Sequence, residues 1–177
     1  MSEDADGKIW IGCDGGGLFH YDPVTGHIRS IETFKREKVV ALVAIDERQL
    51  LVSLYSKGIY RYDIQAGNKA KILIEDKNTD ERILGQDIII GLERVSENKI
   101  LVLSKSVYVY DIKRDIITYS GIRITGTTNL NIAYRDQSYT WLHSSYELFR
   151  VDNITKENEL LLYDGTGSIK CIKMIDS

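Results

Sequence analysis

The sequence holds one proline, two cysteines, two methionines and three histidines among 177 residues. Two cysteines are too few for a disulfide framework or a cysteine-built zinc site. His20, His27 and His143 show no ligand spacing, so no metal motif is present and none is expected. No apolar run reaches the roughly 18 residues of a membrane helix, and no stretch sustains a 3.6-residue apolar period. A net charge of −3 supplies no basic field for nucleic acid or anionic lipid, so neither is an expected partner. The opening Met1-Ser2-Glu3-Asp4-Ala5-Asp6 is acidic and polar, the opposite of a secretory leader. What the chain does have is 11 tyrosines and many β-branched residues, punctuated by Gly/Asx turns, which is the make-up of a sheet protein.

The organising pattern is a repeat. Gly17-Leu18-Phe19-His20-Tyr21-Asp22 returns as Gly58-Ile59-Tyr60-Arg61-Tyr62-Asp63, as Ser106-Val107-Tyr108-Val109-Tyr110-Asp111, and as Glu147-Leu148-Phe149-Arg150-Val151-Asp152. The starts lie 41, 48 and 41 residues apart. Units of roughly 40–50 residues with several short strands have the spacing of propeller blades. The expected fold is all-β: a β-propeller fragment of about four four-stranded blades, in one domain over 1–177. The blades fall at 7–31, 39–74, 88–119 and 130–163, with an extra strand at 168–175. Within them, strands are expected at Ile9–Ile11, Leu18–Tyr21 and His27–Ile31; at Val39–Ile45, Leu50–Leu54, Ile59–Tyr62 and Lys71–Ile74; and at Ile88–Leu92, Ile100–Leu103, Val107–Tyr110 and Ile116–Tyr119. The fourth unit has Leu130–Tyr134, Thr140–Leu142, Leu148–Val151 and Glu159–Tyr163.

Slots align across the units. Trp10, Leu51, Leu101 and Trp141 share one; Phe19, Tyr60, Tyr108 and Phe149 a second; Tyr21, Tyr62, Tyr110 and Val151 a third. Many strands are apolar at successive residues, which fits sheets covered on both faces by neighbouring blades.

Glu3-Asp4-Ala5-Asp6-Gly7-Lys8-Ile9-Trp10-Ile11-Gly12, followed by Gly16-Gly17-Leu18-Phe19-His20-Tyr21-Asp22-Pro23, resembles the two-component regulator propeller repeat. That pattern is an acidic pair, then Gly-x-Ile-Trp-Ile-Gly-Thr, then Gly-Gly-Leu-x-x-Tyr-Asp-Pro; Cys13 stands where threonine is preferred. The other units keep only the aromatic-x-Tyr-Asp half. The resemblance implies a propeller, usually seven-bladed, in the periplasmic sensor region of a bacterial hybrid two-component system, many of which respond to glycan fragments. Kinase, receiver, membrane-spanning and DNA-binding parts are absent from these residues, and the chain reads as a piece of something longer.

Strand counting gives the first blade no innermost strand and the C-terminal segment a spare one. Open edges invite pairing, so the spare strand is expected to complete the first blade, within one chain or between two. Four blades could close alone, or two chains could exchange strands into an eight-bladed homodimer. If Ile45 faces Leu50, Ala41 lies opposite Leu54, and by the same register Cys171 lies opposite Cys13. A disulfide and a pair of inert small hydrophobes both remain open there.

No residue is expected to be catalytic, no cofactor is implied, and no ligand-binding residue is assigned. Asp14-Gly15-Gly16-Gly17 lacks the Gly-Lys-Ser/Thr ending of a phosphate loop and reads as a strand-to-strand turn. Asp4-Ala5-Asp6-Gly7 starts like a calcium loop, but Gly15 stands where the twelfth-position glutamate belongs. Asp22, Asp63, Asp111 and Asp152 form a repeated carboxylate set at strand ends, where turn capping is the expected role. Recognition is expected on the face carrying 14–17, 55–57, 75–86 and 121–128, with the polar run 75–86 foremost. The favoured function is a non-catalytic, periplasmic sensor module that binds an extracellular ligand, an oligosaccharide among the candidates. A propeller glycan lyase or hydrolase and a protein-interaction scaffold are the alternatives; the enzyme would need convergent carboxylates.

Overall fold

The computed structural model describes residues 1–74, 89–104, 106–122 and 130–163. The chain is a β-propeller fragment. Blade 1 contains β1 (Ser2–Glu3), β2 (Ile9–Cys13), β3 (Gly17–Tyr21) and β4 (Ile28–Ile31); blade 2 contains β5 (Val39–Ala44), β6 (Gln49–Leu54), β7 (Gly58–Asp63) and β8 (Asn68–Lys71). After β9 (Leu73–Ile74), blade 3 follows as β10 (Gly91–Ser96), β11 (Lys99–Leu103), β12 (Val107–Asp111) and β13 (Ile116–Tyr119). Blade 4 is β14 (Asn131–Arg135), β15 (Tyr139–His143), β16 (Glu147–Asp152) and β17 (Asn158–Tyr163). Each blade is an antiparallel meander in chain order. The first strands β1, β5, β10 and β14 stand beside one another, so they line the axis. Among the described residues, the single 3-10 turn Glu32–Phe34 is the only helix.

Blades pack face to face, and the residue slots explain how. Directly paired residues share a sheet face. Trp10 and Leu18 of blade 1 meet Leu50, Val52 and Tyr62 of blade 2 in one apolar cluster. Leu51 and Ile59 of blade 2 meet Ile100, Val102, Tyr108 and Tyr110 of blade 3. Leu101, Leu103 and Val107 of blade 3 meet Leu142, Phe149 and Val151 of blade 4. Successive residues of β6 therefore face opposite neighbours and are both buried, which is why Leu50, Leu51 and Val52 are apolar in succession. Full burial of each such side chain is worth roughly 1.5–3 kcal/mol. Gly17 (φ 89°) and Gly58 (φ 90°) open the third strand of their blades in the left-handed region, and a Cβ on Gly17 would strike the Phe34 carbonyl.

Four expectations are corrected. Blade 1 has a short innermost strand after all: Ser2 pairs with Trp10 and Glu3 with Ile9, because the Asp4 turn folds the N-terminus back. The outer strand of blade 2 is Asn68–Lys71, while Leu73–Ile74 crosses to run parallel along β13 at the outer edge of blade 3. The innermost strand of blade 3 is Gly91–Ser96, not 88–92; Leu103 packs over Gly91, and Ile89 plugs the interface before the strand begins. Ile45 does not face Leu50, since Ala44 does. An irregularity between Val39 and Ala41 then sets Ala41 opposite Ser53 and Val39 opposite Leu54. The register offered for Cys13 and Cys171 loses its premise; Cys171 and the spare strand lie outside the described residues.

Candidate functional site

Strand polarity sorts the turns onto two ends of the propeller. The upper face carries the second-to-third-strand turns and the blade connectors; the lower face carries the other two turns of each blade. Of the loops expected to bind ligand on the upper face, 75–86 lies outside the described residues, as do residues 123–128 of the stretch 121–128. The described part is tied to itself. Lys38 pairs with Asp14 at 3.0 Å and sits 4.5 Å over the Tyr55 ring. Glu37 takes Lys57 at 2.6 Å and Lys69 at 3.6 Å, and the Lys57 hydrogen bond holds its carboxyl below the usual range. These contacts join the second-to-third-strand turns of blades 1 and 2 through the connector between them.

On the lower face the repeated aspartates act as turn caps. Asp22 Oδ1 accepts from the Val24 and Thr25 amides, Asp63 from Ala66, Asp111 from Arg114, and Asp152 from Ile154 and Thr155. The Thr25 amide leads in holding Asp22 below the ordinary carboxylate range, and the Thr155 amide does so for Asp152. Each carboxylate is fixed within its own turn.

Asp4 is equally engaged. Oδ1 accepts from the Asp6 and Lys8 amides, and Oδ2 lies 3.0 Å from Trp10 Nε1 and 3.4 Å from His20 Nε2. Burial pushes its carboxyl up, but these hydrogen bonds together outweigh burial and leave it below the ordinary range. All four arrive from one blade, so the residues that start like a calcium loop close blade 1 instead. His20 stacks on Trp10 with ring centroids 4.1 Å apart. Lys8, His20, Asp22, His27 and Arg29 line a hollow of about 360 Å³. His143 lies apart on β15, its Nδ1 3.0 Å from the Ser144 carbonyl. Cys13 is a half-buried free thiol. Among the described residues, no three His, Cys, Asp or Glu side chains gather as a metal would need.

The largest described cleft lies where the inner strands of blades 3 and 4 reach the lower face. It has a volume of about 640 Å³ and is lined by Glu93, Arg94, Val95, Ile132, Tyr134, Arg135, Asp136 and Gln137. Pairing fixes the slots: Arg94 opposes Ile100 and Arg135 opposes Thr140, so the two arginines hold equivalent positions. Blade 2 has Ala44 there. Arg94 is committed structurally, donating to the Glu97 carbonyl at 3.0 Å, to Ala44 O at 2.9 Å and to Ile45 O across the blade boundary. Asp136 Oδ1 caps its own turn through the Ser138 and Tyr139 amides, both at 2.7 Å. Arg135 and Glu93 are exposed, and no hydrogen bond or ion pair ties either among the described residues. The cleft thus offers a guanidinium, a carboxylate, the Gln137 amide and the half-buried Tyr134 ring. Sequence reasoning passed over these residues, although charge at Glu93-Arg94 where blade 2 carries Val43-Ala44 was a readable signal.

No family model matches the chain, and no curated protein sequence matches it. Solved structures do share its fold. The extracellular domain of the hybrid two-component system BT3049 of B. thetaiotaomicron superposes with a TM-score of 0.64 at 15% identity, covering 88% of this chain and 22% of that one. The corresponding domain of BT4673 from the same organism gives 0.66 at 17% identity, covering 94% and 24%. The C-terminal WD40 domain of Sif2 gives 0.68 at 11% identity, covering 94% and 47%. The chain therefore spans about a quarter of the length of the sensor domains it matches.

Proposed function

We propose that this chain is a ligand-binding segment of a periplasmic sensor propeller, and that its ligand is an oligosaccharide held in the cleft between blades 3 and 4. The observation that carries the reading is the cleft: beside the Tyr134 ring, Arg135, Glu93 and Gln137 present side-chain donors and an acceptor that have no partner among the described residues. A sugar hydroxyl both donates and accepts, and a pyranose face packs on an aromatic ring, so this mixture suits a hydroxyl-rich ligand. The likeness to extracellular two-component domains and the first-unit resemblance support the sensor role and the periplasmic setting. Among the described residues, no helix is long and apolar enough to cross a membrane. The proposed binding is non-catalytic; the reading is supported by Asp136, the second carboxylate at the cleft, whose Oδ1 caps its own turn through two backbone amides.

Calorimetric titration of the chain with defined neutral and uronate-bearing oligosaccharides tests this. Saturable binding that weakens at least tenfold in Arg135→Ala is expected, with the oligosaccharide recovered intact. Binding indifferent to both Arg135→Ala and Glu93→Ala overturns the site. New reducing ends or unsaturated products would make the protein an enzyme instead.

A further inference from the structure

The hollow of about 360 Å³ lined by Lys8, His20, Asp22, His27 and Arg29 lies on the side of blade 1 that meets blade 2. Trp10 opposes His20 and His20 opposes Arg29, so all three stand on the face that Trp10 and Leu18 bury against blade 2. Lys8, two residues before Trp10, and Asp22, two after His20, extend that face toward the lower rim, where the Asp22 amide donates to the His27 carbonyl. Tyr62 of blade 2 stands edge-on to Trp10. Burial raises its phenol pKa, and the nearby Arg29 charge draws it back in part. The hollow thus sits beside the joint of two described blades.

What marks it is positive charge without a counter-charge. The His20 slot holds Arg61 in blade 2 and Arg150 in blade 4, opposite Leu51 and Trp141 as His20 is opposite Trp10. Each of those cations has a carboxylate. Arg61 reaches Asp115 at 2.9 Å, and Arg150 reaches Glu159, its neighbour on the outer strand, at 2.7 Å. In blade 1 the outer-strand neighbour of His20 is itself a cation, Arg29. Among the described residues, no carboxylate lies within ion-pair distance of Lys8 or Arg29. Asp22 is the single carboxylate lining the hollow, and its Oδ1 is held by the Val24 and Thr25 amides.

Arg29 is also oriented. Its Nε donates to His20 Nδ1 at 3.3 Å, which sets the plane of the guanidinium and leaves both terminal amino groups without a partner among the described residues. Two parallel donors on a fixed plane match the paired oxygens of an oxyanion. The Lys8 and Arg29 charges both press the His20 pKa down, so their fields overlap at that ring.

We infer that this hollow binds the carboxylate, sulfate or phosphate group of a small ligand, with Arg29 donating to two of its oxygens and Lys8 supplying the second positive charge. A chain of net charge −3 lacks the field to hold a polyanion, and the volume falls within the roughly 300–1,000 Å³ of small-molecule sites. The site is separate from the blade 3–4 cleft, and either can fail without the other.

The three histidine rings of the full chain supply the test, two of them on the hollow and His143 away on blade 4. Their proton NMR signals are followed at constant pH while sodium sulfate or sodium acetate is added, each against sodium chloride at matched ionic strength. His20→Gln and His27→Gln assign the signals. The expected result is saturable movement of the His20 and His27 signals with His143 still. Saturation by sulfate alone identifies a tetrahedral group, by acetate alone a carboxylate, and by both a site open to either. Arg29→Ala and Lys8→Ala are each expected to weaken the affinity by about tenfold or more, the loss of a hydrogen bond to a charged group. An unchanged His143 signal reports that a variant is folded; should Lys8→Ala fail that check, Lys8→Gln replaces it. Movement that never saturates, that chloride reproduces or that His143 shares overturns the inference. So does full affinity in either variant.

Discussion

Asp4 commits both carboxylate oxygens inside blade 1, and His20 is caught between it and Arg29, whose Nε donates to His20 Nδ1 at 3.3 Å. With Nδ1 accepting, the proton of the neutral ring lies on Nε2, aimed at Asp4. Burial leads in pushing the His20 pKa below its ordinary 6.5; the Asp4 hydrogen bond pulls it back only in part, and Arg29 pushes it further down. The unfolded chain consequently binds a proton that the folded chain refuses. Stability is expected to fall as pH drops through 6.5 and to level off below the lowered folded value. Asp4 has the opposite charge but adds in the same direction. Its folded pKa lies below 3.8, so its contribution is complete above 3.8 and disappears as pH falls through the folded value. Urea midpoints between pH 3 and 8 should show both steps, and His20→Gln should remove the upper one alone. A His20→Gln profile that keeps the upper step would locate that titration elsewhere.

Among the elements, Arg94 on β10 is the most telling. Its guanidinium crosses from blade 3 to the carbonyls of Ala44 and Ile45 in blade 2 while holding Glu97 O in its own turn. Hydrogen bonds to a charged group are worth about 1.5–3 kcal/mol. Arg94→Ala is expected to lower unfolding stability by about that much, and Arg94→Lys to recover only part, since one ammonium cannot span three carbonyls in a plane. Chemical denaturation measures both. The inner strands are also where reading from sequence met its limit. Third strands ending in Asp63, Asp111 or Asp152 were legible because the signal is local: an aromatic alternation closed by an Asx turn. The strands on the axis are irregular instead, with register shifts at Val39/Ala41, Arg94/Ser96 and Ile132/Tyr134. An extra residue turns every following side chain to the other face, so pairing at Ala41 cannot be counted off from Ile45. For the same reason Glu93 and Arg135 emerge as cleft residues only once their partners on β11 and β15 are known.

At the scale of the molecule, the blades form a line in which each packs on its neighbours. Stability in such an array is close to a sum of blade and interface terms. Leu142, fully buried between blades 3 and 4, tests this. Leu142→Ala is expected to cost about 2–5 kcal/mol and to act on one end of the line. Hydrogen exchange should lose protection in β14–β17 while β5–β7 keep theirs; uniform loss across all blades would show one cooperative unit instead.

The crossing of β9 adds a mechanical asymmetry. Because Leu73–Ile74 leaves blade 2 and joins the sheet of blade 3 through its backbone, those two blades are stitched at the rim as well as clamped by Arg94 near the axis. Bending there would tear a ladder. The joint between blades 3 and 4 has its apolar core flanked by the 640 Å³ cleft and a second hollow of about 380 Å³, and Arg135 borders both. That joint therefore lacks, among the described residues, the rim ladder that braces blades 2 and 3, and a ligand wedged in the proposed cleft is expected to part it first.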